Sequence, residues 1–226
     1  MAKFISSIGQ ISGKLGGVVF KRRGNKTFIT KAPVHIKPAK DPATLQRRRK
    51  FAWVGKFTKA VNSSPILHAL WKPLSTRSVS VYNNIFQSVF GSIDIKDLSS
   101  IPVFIPYFSP FSLINKSVTF GKSSIFVEVD PLGVTLGIDL AKEISIVAAG
   151  IMVLSDPETE GFPEFLFLPV QSGKLPLTLN RNSNFIVPVE NTNSVYYDCY
   201  RTKKAYLTLI TLDASGNPVH HSVIIS

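Results

Sequence analysis

Four histidines, one cysteine and a short run of carboxylates are the groups with which this 226-residue chain would do covalent or acid–base chemistry. Their spacing argues against it. His35 stands among prolines, His68 in a helical pattern, and His220 and His221 are adjacent, so that on a strand they face opposite ways. A metal needs ligands at converging spacing, such as paired cysteines or two histidines one helical turn apart, and neither pattern is present. Cys199 lies between Asp198 and Tyr200 with no histidine near it in sequence, and reads as an inert thiol. Asp156, Glu158, Glu160 and Glu164 cluster in a stretch interrupted by Pro157, Gly161 and Pro163, the composition of a solvated turn rather than of a general acid and its base. Gly121-Lys122-Ser123 ends like a phosphate-binding loop, but Lys116 occupies the place of the glycine required five positions earlier. Gly13-Lys14 is followed by Leu15 and fails as well. The expectation is a chain with no catalytic residue, cofactor or metal.

The other chemistry on offer is cationic, and it is concentrated at one end. Residues 1–80 hold 17 Lys and Arg against the single Asp41, a net charge of +16, whereas residues 81–226 hold 9 against 13 acids, a net of −4. Within 12–61 alone stand 14 of the 26 cations. Such a segregated charge suits a polyanion or an acidic protein surface as partner. Nucleic-acid binding would use Lys21, Arg22, Arg23, Lys26, Arg47, Arg48, Arg49 and Lys50 as phosphate contacts, needing no base readout. Trp53 and Phe57 would be its stacking platforms, although their helical spacing with Val61 favours core packing. No helix-turn-helix or RNA-recognition signature accompanies them.

Composition bounds the rest. With 44% hydrophobic and 18% charged residues the chain is not disordered as a whole, and its length allows one large domain or two small ones. One cysteine excludes an internal disulfide framework. The start Met-Ala-Lys-Phe-Ile-Ser-Ser-Ile-Gly-Gln lacks the apolar core of a signal peptide, so synthesis in the cytoplasm is expected. The run Ile146–Leu154 is nine residues, against the roughly 20 that a membrane helix needs, and Pro102, Pro106 and Pro110 break the uncharged stretch 98–115.

The elements that must position the cations divide the chain into 1–40, an extended basic arm and hairpin; 41–92, a helical segment; and 93–226, a β-sandwich. Phe4, Ile5, Ile8 and Ile11 give residues 1–11 an amphipathic start. Gly13, Gly16 and Gly17 mark a sharp turn or close approach, Val18-Val19-Phe20 and Thr27–Thr30 are β-type runs, and Arg23-Gly24-Asn25-Lys26 turns between them. Such a hairpin is marginal alone and calls for a partner surface. Prolines at 33, 38 and 42 extend the following linker, and Asp41-Pro42 caps and starts a helix. Phe51, Val54, Phe57 and Val61 line one face of that helix, with Arg48, Arg49, Lys56 and Lys59 opposite; Arg47 and Lys50 fall on the apolar stripe and break it. Ser63-Ser64-Pro65 ends it, and weaker helical patterns cover 66–71 and 79–90. Ile101–Phe111 reads as an extended connector on the core surface. Beyond it, β-branched runs at 124–129, 133–138, 144–154, 165–170, 175–179, 184–189, 195–200, 205–212 and 220–225 alternate with turns. The fold class expected is mainly β with a helical N-terminal layer, the sandwich being immunoglobulin-like.

Two stretches carry a resemblance. Ser12-Gly13-Lys14-Leu15-Gly16-Gly17-Val18-Val19-Phe20, followed by Pro38 to Pro42-Ala43-Thr44-Leu45-Gln46-Arg47-Arg48-Arg49-Lys50-Phe51-Ala52, resembles an N-terminal signature of phage-encoded virion structural proteins. Ala205–Ile210, Asp213–Asn217 and Ser222–Ile224 are similar to the last hairpin of a family of unknown function common in Bacteroidota and their phages. The resemblance implies a structural role in a phage particle and brings no catalytic residues with it. On this reading the protein is a non-enzymatic capsid, neck or tail accessory subunit residing in the virion. It would contact other subunits and copies of itself through Val18, Val19, Phe20, Lys21, Arg22, Arg23, Lys26, Arg47, Arg48, Arg49 and Lys50. The alternative is a nucleic-acid-binding accessory protein using the same arm. A third class, a glycan-binding or hydrolytic sandwich, would require an aromatic and acidic cleft.

Overall fold

The computed structural model describes residues 2–4, 12–24, 26–32, 41–94, 101–106, 111–113, 116–121, 123–133, 138–189 and 196–226. Two compact units result, Met1–Leu45 and Gln46–Ser226. The helical segment expected over 41–92 and the sandwich expected over 93–226 thus fall almost wholly in one unit. The linker expected over 33–40, with His35, lies outside the described residues.

In the first unit, β1 (Ala2–Phe4), β2 (Gly13–Leu15), β3 (Val18–Arg23) and β4 (Lys26–Lys31) form an antiparallel sheet in the order β1-β4-β3-β2. Two glycines make its hairpins: Gly16 (φ 55°) between β2 and β3, and Gly24 (φ 60°) between β3 and β4, both in the left-handed region that a Cβ disfavours. Of the amphipathic start expected over 1–11, residues 2–4 are strand; 5–11 lie outside the described residues.

Three helices follow: α1 (Pro42–Ser63), α2 (Pro65–Trp71) and α3 (Val81–Ser92). Asp41 caps α1 as its sequence implies, accepting from the Thr44 N–H at 2.8 Å. Ser80 caps α3, its hydroxyl accepting from Asn83 N–H at 3.3 Å. The stripe Trp53, Val54, Phe57, Ala60 and Val61 is buried. It packs with Leu67, Leu70, Ile85 and Val89 of the other helices. Each fully buried large apolar side chain stabilises by about 1.5–3 kcal/mol, so α1 is held firmly in the second unit.

The strands of the second unit are β5 (Lys116–Phe120), β6 (Ser124–Val129), β7 (Ser145–Pro157), β8 (Phe165–Gln171), β9 (Leu175–Pro176), β10 (Ser183–Pro188), β11 (Tyr200–Leu212) and β12 (Pro218–His221). They make a three-stranded sheet, β10-β6-β5, and a five-stranded sheet, β12-β11-β7-β8 with β9 paired to β7. The larger sheet is covered on both faces. Along β7, Val147, Ala149, Ile151 and Val153 share a core with the helices, while Ile146, Ala148, Met152 and Leu154 share one with Ile125, Val127, Phe185 and Val187 of the smaller sheet. That is why β7 is apolar without alternation: a strand buried on both sides has no solvent face to mark. The chain is mainly β with a helical layer.

Several local expectations need correction. Of the strand expected over 195–200, residues 196–199 are not strand: Tyr196–Tyr197 form a helical turn, Cys199 N–H donates to Tyr196 carbonyl at 3.1 Å, and pairing begins at Tyr200. The segment 175–179 pairs only through Leu175–Pro176, although Leu177 and Leu179 pack on the core. Most of the strand expected over 133–138 lies outside the described residues. The connector expected on the core surface over 101–111 is partly interior in its described residues: Ile101 is exposed, but Phe104 and Ile105 are buried among the helices, and Trp71 Nε1 donates to the Phe104 carbonyl at 2.8 Å. Phe111 bridges in parallel to Ser222 beside β12.

Candidate functional site

Cross-strand register decides what the first unit presents. Partners across a sheet lie on the same face and successive residues on opposite faces. The pairs Leu15–Val18–Lys31, Phe20–Ile29 and Arg22–Thr27 therefore belong to one face, and Lys14–Val19–Thr30, Lys21–Phe28 and Arg23–Lys26 to the other. The first face is apolar between its ends; the second is cationic with Phe28 set among the charges.

Over residues 12–24 and 26–32, Thr27 on the apolar face and Ala32 just after β4 are buried. Leu15 is 71% exposed, and Val18, Phe20 and Ile29 are half-buried. Lys14, Lys21, Arg22, Arg23, Lys26 and Lys31 are all exposed. Arg22 turns back, donating through Nε to the Gly24 carbonyl at 3.1 Å. The single acid of residues 1–45, Asp41, is engaged as the α1 cap.

The main chain of Val18-Val19-Phe20, expected to add as a strand to a neighbour, is already used. β3 is interior, paired to β2 and to β4. Among the described strands β2 stands at the end of the order, and its residues Gly13–Leu15 are exposed.

The cations of α1 belong to the second unit and do not act as a free cluster. Lys50 is 7% exposed, its ammonium donating to the Ile93 carbonyl at the C-terminal end of α3 and lying 4.3 Å from the Phe90 ring centroid. It therefore leaves the set of contact residues: on the buried stripe with Val54 and Phe57, it serves a helix end whose dipole favours a cation. Arg49 is ion-paired with Glu164. Arg47 and Arg48 are exposed. Trp53 and Phe57 are buried and stacked on each other 5.1 Å apart, so they are not stacking platforms for bases.

The groups considered for catalysis are scattered. Glu158 pairs with Arg201 at 3.6 Å, and Asp156 accepts from the Thr202 hydroxyl at 2.6 Å. Cys199 is half-buried and forms no disulfide. His220 Nδ1 is 3.0 Å from Glu143, a fully buried carboxylate that also accepts from the Asp139 N–H, and His221 is buried. No local pattern marked the Glu143–His220 pair, whose members are 77 residues apart. Among the described residues no group of three or more His, Cys, Asp or Glu converges to hold a metal, and no helix is long and apolar enough to cross a membrane. An aromatic surface with one acid exists on the outer side of the three-stranded sheet, where a groove of about 290 Å³ is lined by Phe126, Glu128, Asn184 and Ile186.

Neither a protein-family model nor a curated protein matches the chain. Among solved structures, the chain is similar over 56% of its length to DesR, a beta-glucosidase from Streptomyces venezuelae, at 13% identity and a TM-score of 0.23, covering 16% of that enzyme. A likeness that slight carries no argument about fold or activity.

Proposed function

We propose that the protein is a non-enzymatic structural subunit of a bacteriophage particle, a capsid, neck or tail accessory protein. It anchors through its N-terminal sheet and displays the β-rich body, in many symmetric copies. One observation carries this reading: Leu15, Val18, Phe20 and Ile29 share a sheet face, and Leu15 at its end is 71% exposed. An apolar side chain held this far into solvent suits a second protein surface. The stretches that resemble a phage virion signature fall on this same β2–β3 hairpin and on the start of α1.

The strand order supports reading the body as immunoglobulin-like. Naming β5, β6, β7, β8, β10, β11 and β12 as A, B, C, C′, E, F and G, the sheets are A-B-E and C′-C-F-G, a Greek-key arrangement with the C-F-G set together. The helical layer on the second sheet is then an addition to that domain. The test is mass spectrometry and imaging of purified particles. Stoichiometric, symmetrically placed copies are expected; absence from particles that assemble normally would overturn the proposal.

A further inference from the structure

The cationic face of the N-terminal sheet carries an inference that does not depend on a phage particle. We infer that this face binds the phosphate backbone of nucleic acid, while the apolar face is left for protein. Lys14, Lys21, Arg23 and Lys26 lie on it, all exposed, with no side-chain hydrogen bond or ion pair to any described residue. Arg23 and Lys26 are direct cross-strand partners. Like charges set opposite each other destabilise a hairpin, and no acid of the sheet relieves them. An anion laid across the tip does. Lys21 and Arg23 are two residues apart on one strand, so their side chains emerge about 6.5–7 Å apart, and Lys14 extends the row onto the neighbouring strand. Such a stripe of long, unfixed cations follows a linear array of phosphates without reading sequence. Phe28, half-buried opposite Lys21, offers a ring to an unstacked base. A folded acidic protein surface would instead meet scattered cations with fixed partners, and none of the four has one.

The test uses the full-length protein and fluorescence anisotropy with a labelled duplex and a single strand of mixed sequence, titrated at several salt concentrations. Four phosphate contacts predict a slope of log K against log salt of about −3.6 for the duplex and about −2.8 for the single strand. Replacing Lys14, Lys21, Arg23 and Lys26 together by Gln should weaken binding at least tenfold and flatten the slope. Removing the Arg23–Lys26 repulsion favours the hairpin, so circular dichroism should show the variant folded. A Lys56→Gln, Lys59→Gln control on α1 should bind as the parent does. Absence of binding, binding indifferent to the four substitutions, or preference for polyglutamate over duplex would each overturn the inference. Particle incorporation of the same variant separates the two proposals: retained incorporation with lost nucleic-acid binding upholds both, whereas a chain that binds duplex yet never enters particles overturns only the structural-subunit reading.

Discussion

Phe20 and Lys21 are consecutive on β3 and point to opposite sides of the sheet, Phe20 paired with Ile29 and Lys21 with Phe28. The alternation of one apolar and one cationic position thus separates two surfaces of different chemistry. Leu15 extends the apolar side. Because it is 71% exposed, Leu15→Asp should cost the free protein no more than about 0.5 kcal/mol. Incorporation into particles should nevertheless be lost, as read by immunoblot of purified particles. Normal incorporation of a folded Leu15→Asp protein would remove the apolar face from the account.

Lys50 is structural. Its ammonium donates to Ile93 in the interior, so Lys50→Ala leaves that carbonyl without its charged donor and should destabilise the second unit by about 2 kcal/mol in urea unfolding. Lys50→Met keeps the apolar stem and should cost less. Nucleic-acid affinity should be unaltered in both.

Gly150 is fixed by its neighbour strand. A Cβ built there would stand 1.9 Å from the Tyr206 carbonyl oxygen and 2.8 Å from Leu207 Cα, backbone atoms that cannot swing aside. Gly150→Ala must push β7 from β11 at the centre of the doubly covered sheet. A loss of about 4 kcal/mol, or failure to fold, is expected in thermal or chemical denaturation.

His221 gives the second unit an acid sensitivity. Burial is the first cause holding its pKa below the usual 6.5, reinforced by neighbouring His220 and opposed by hydrogen bonds to the Ser222 and Pro106 carbonyls. A base whose folded pKa is depressed has no effect on stability above the unfolded value, where both states are neutral. Below it the unfolded chain takes up a proton first, so stability falls as pH drops from about 6.5 toward the folded pKa. His221→Gln should reduce the decline in denaturation midpoint between pH 7 and pH 5; an unchanged decline would show that another group causes it.

Much of the body was legible because local signals agreed with burial. Ser124–Val129 alternates and is β6 to the residue, with the pattern of burial its sequence implies. Asp41-Pro42 and Ser63-Ser64-Pro65 bracket α1 where the capping rules place them. What escaped was long-range. β5 carries Lys116, Ser117 and Thr119, too polar to announce a strand until β6 is seen to pair with it. Tyr196 and Tyr197 have strand propensity but occupy a turn, Tyr197 donating to the Gly121 carbonyl at 3.0 Å from a segment 76 residues away. Lys50 fell on the apolar stripe of α1 in sequence, but its place in a basic run masked that signal, and its partner Ile93 is 43 residues away. The two-sided sheet was hidden for a related reason. Its faces depend on which residue of β2 and β4 stands opposite each residue of β3, and only the turn lengths at Gly16 and Gly24 set that register.

The central claim, that the apolar face of the N-terminal sheet is a docking surface, is tested most directly by hydroxyl-radical footprinting of Leu15 in the free protein and in purified particles. Ready oxidation of Leu15 in the free protein and strong protection in the particle are predicted. Equal oxidation in the two states would contradict it.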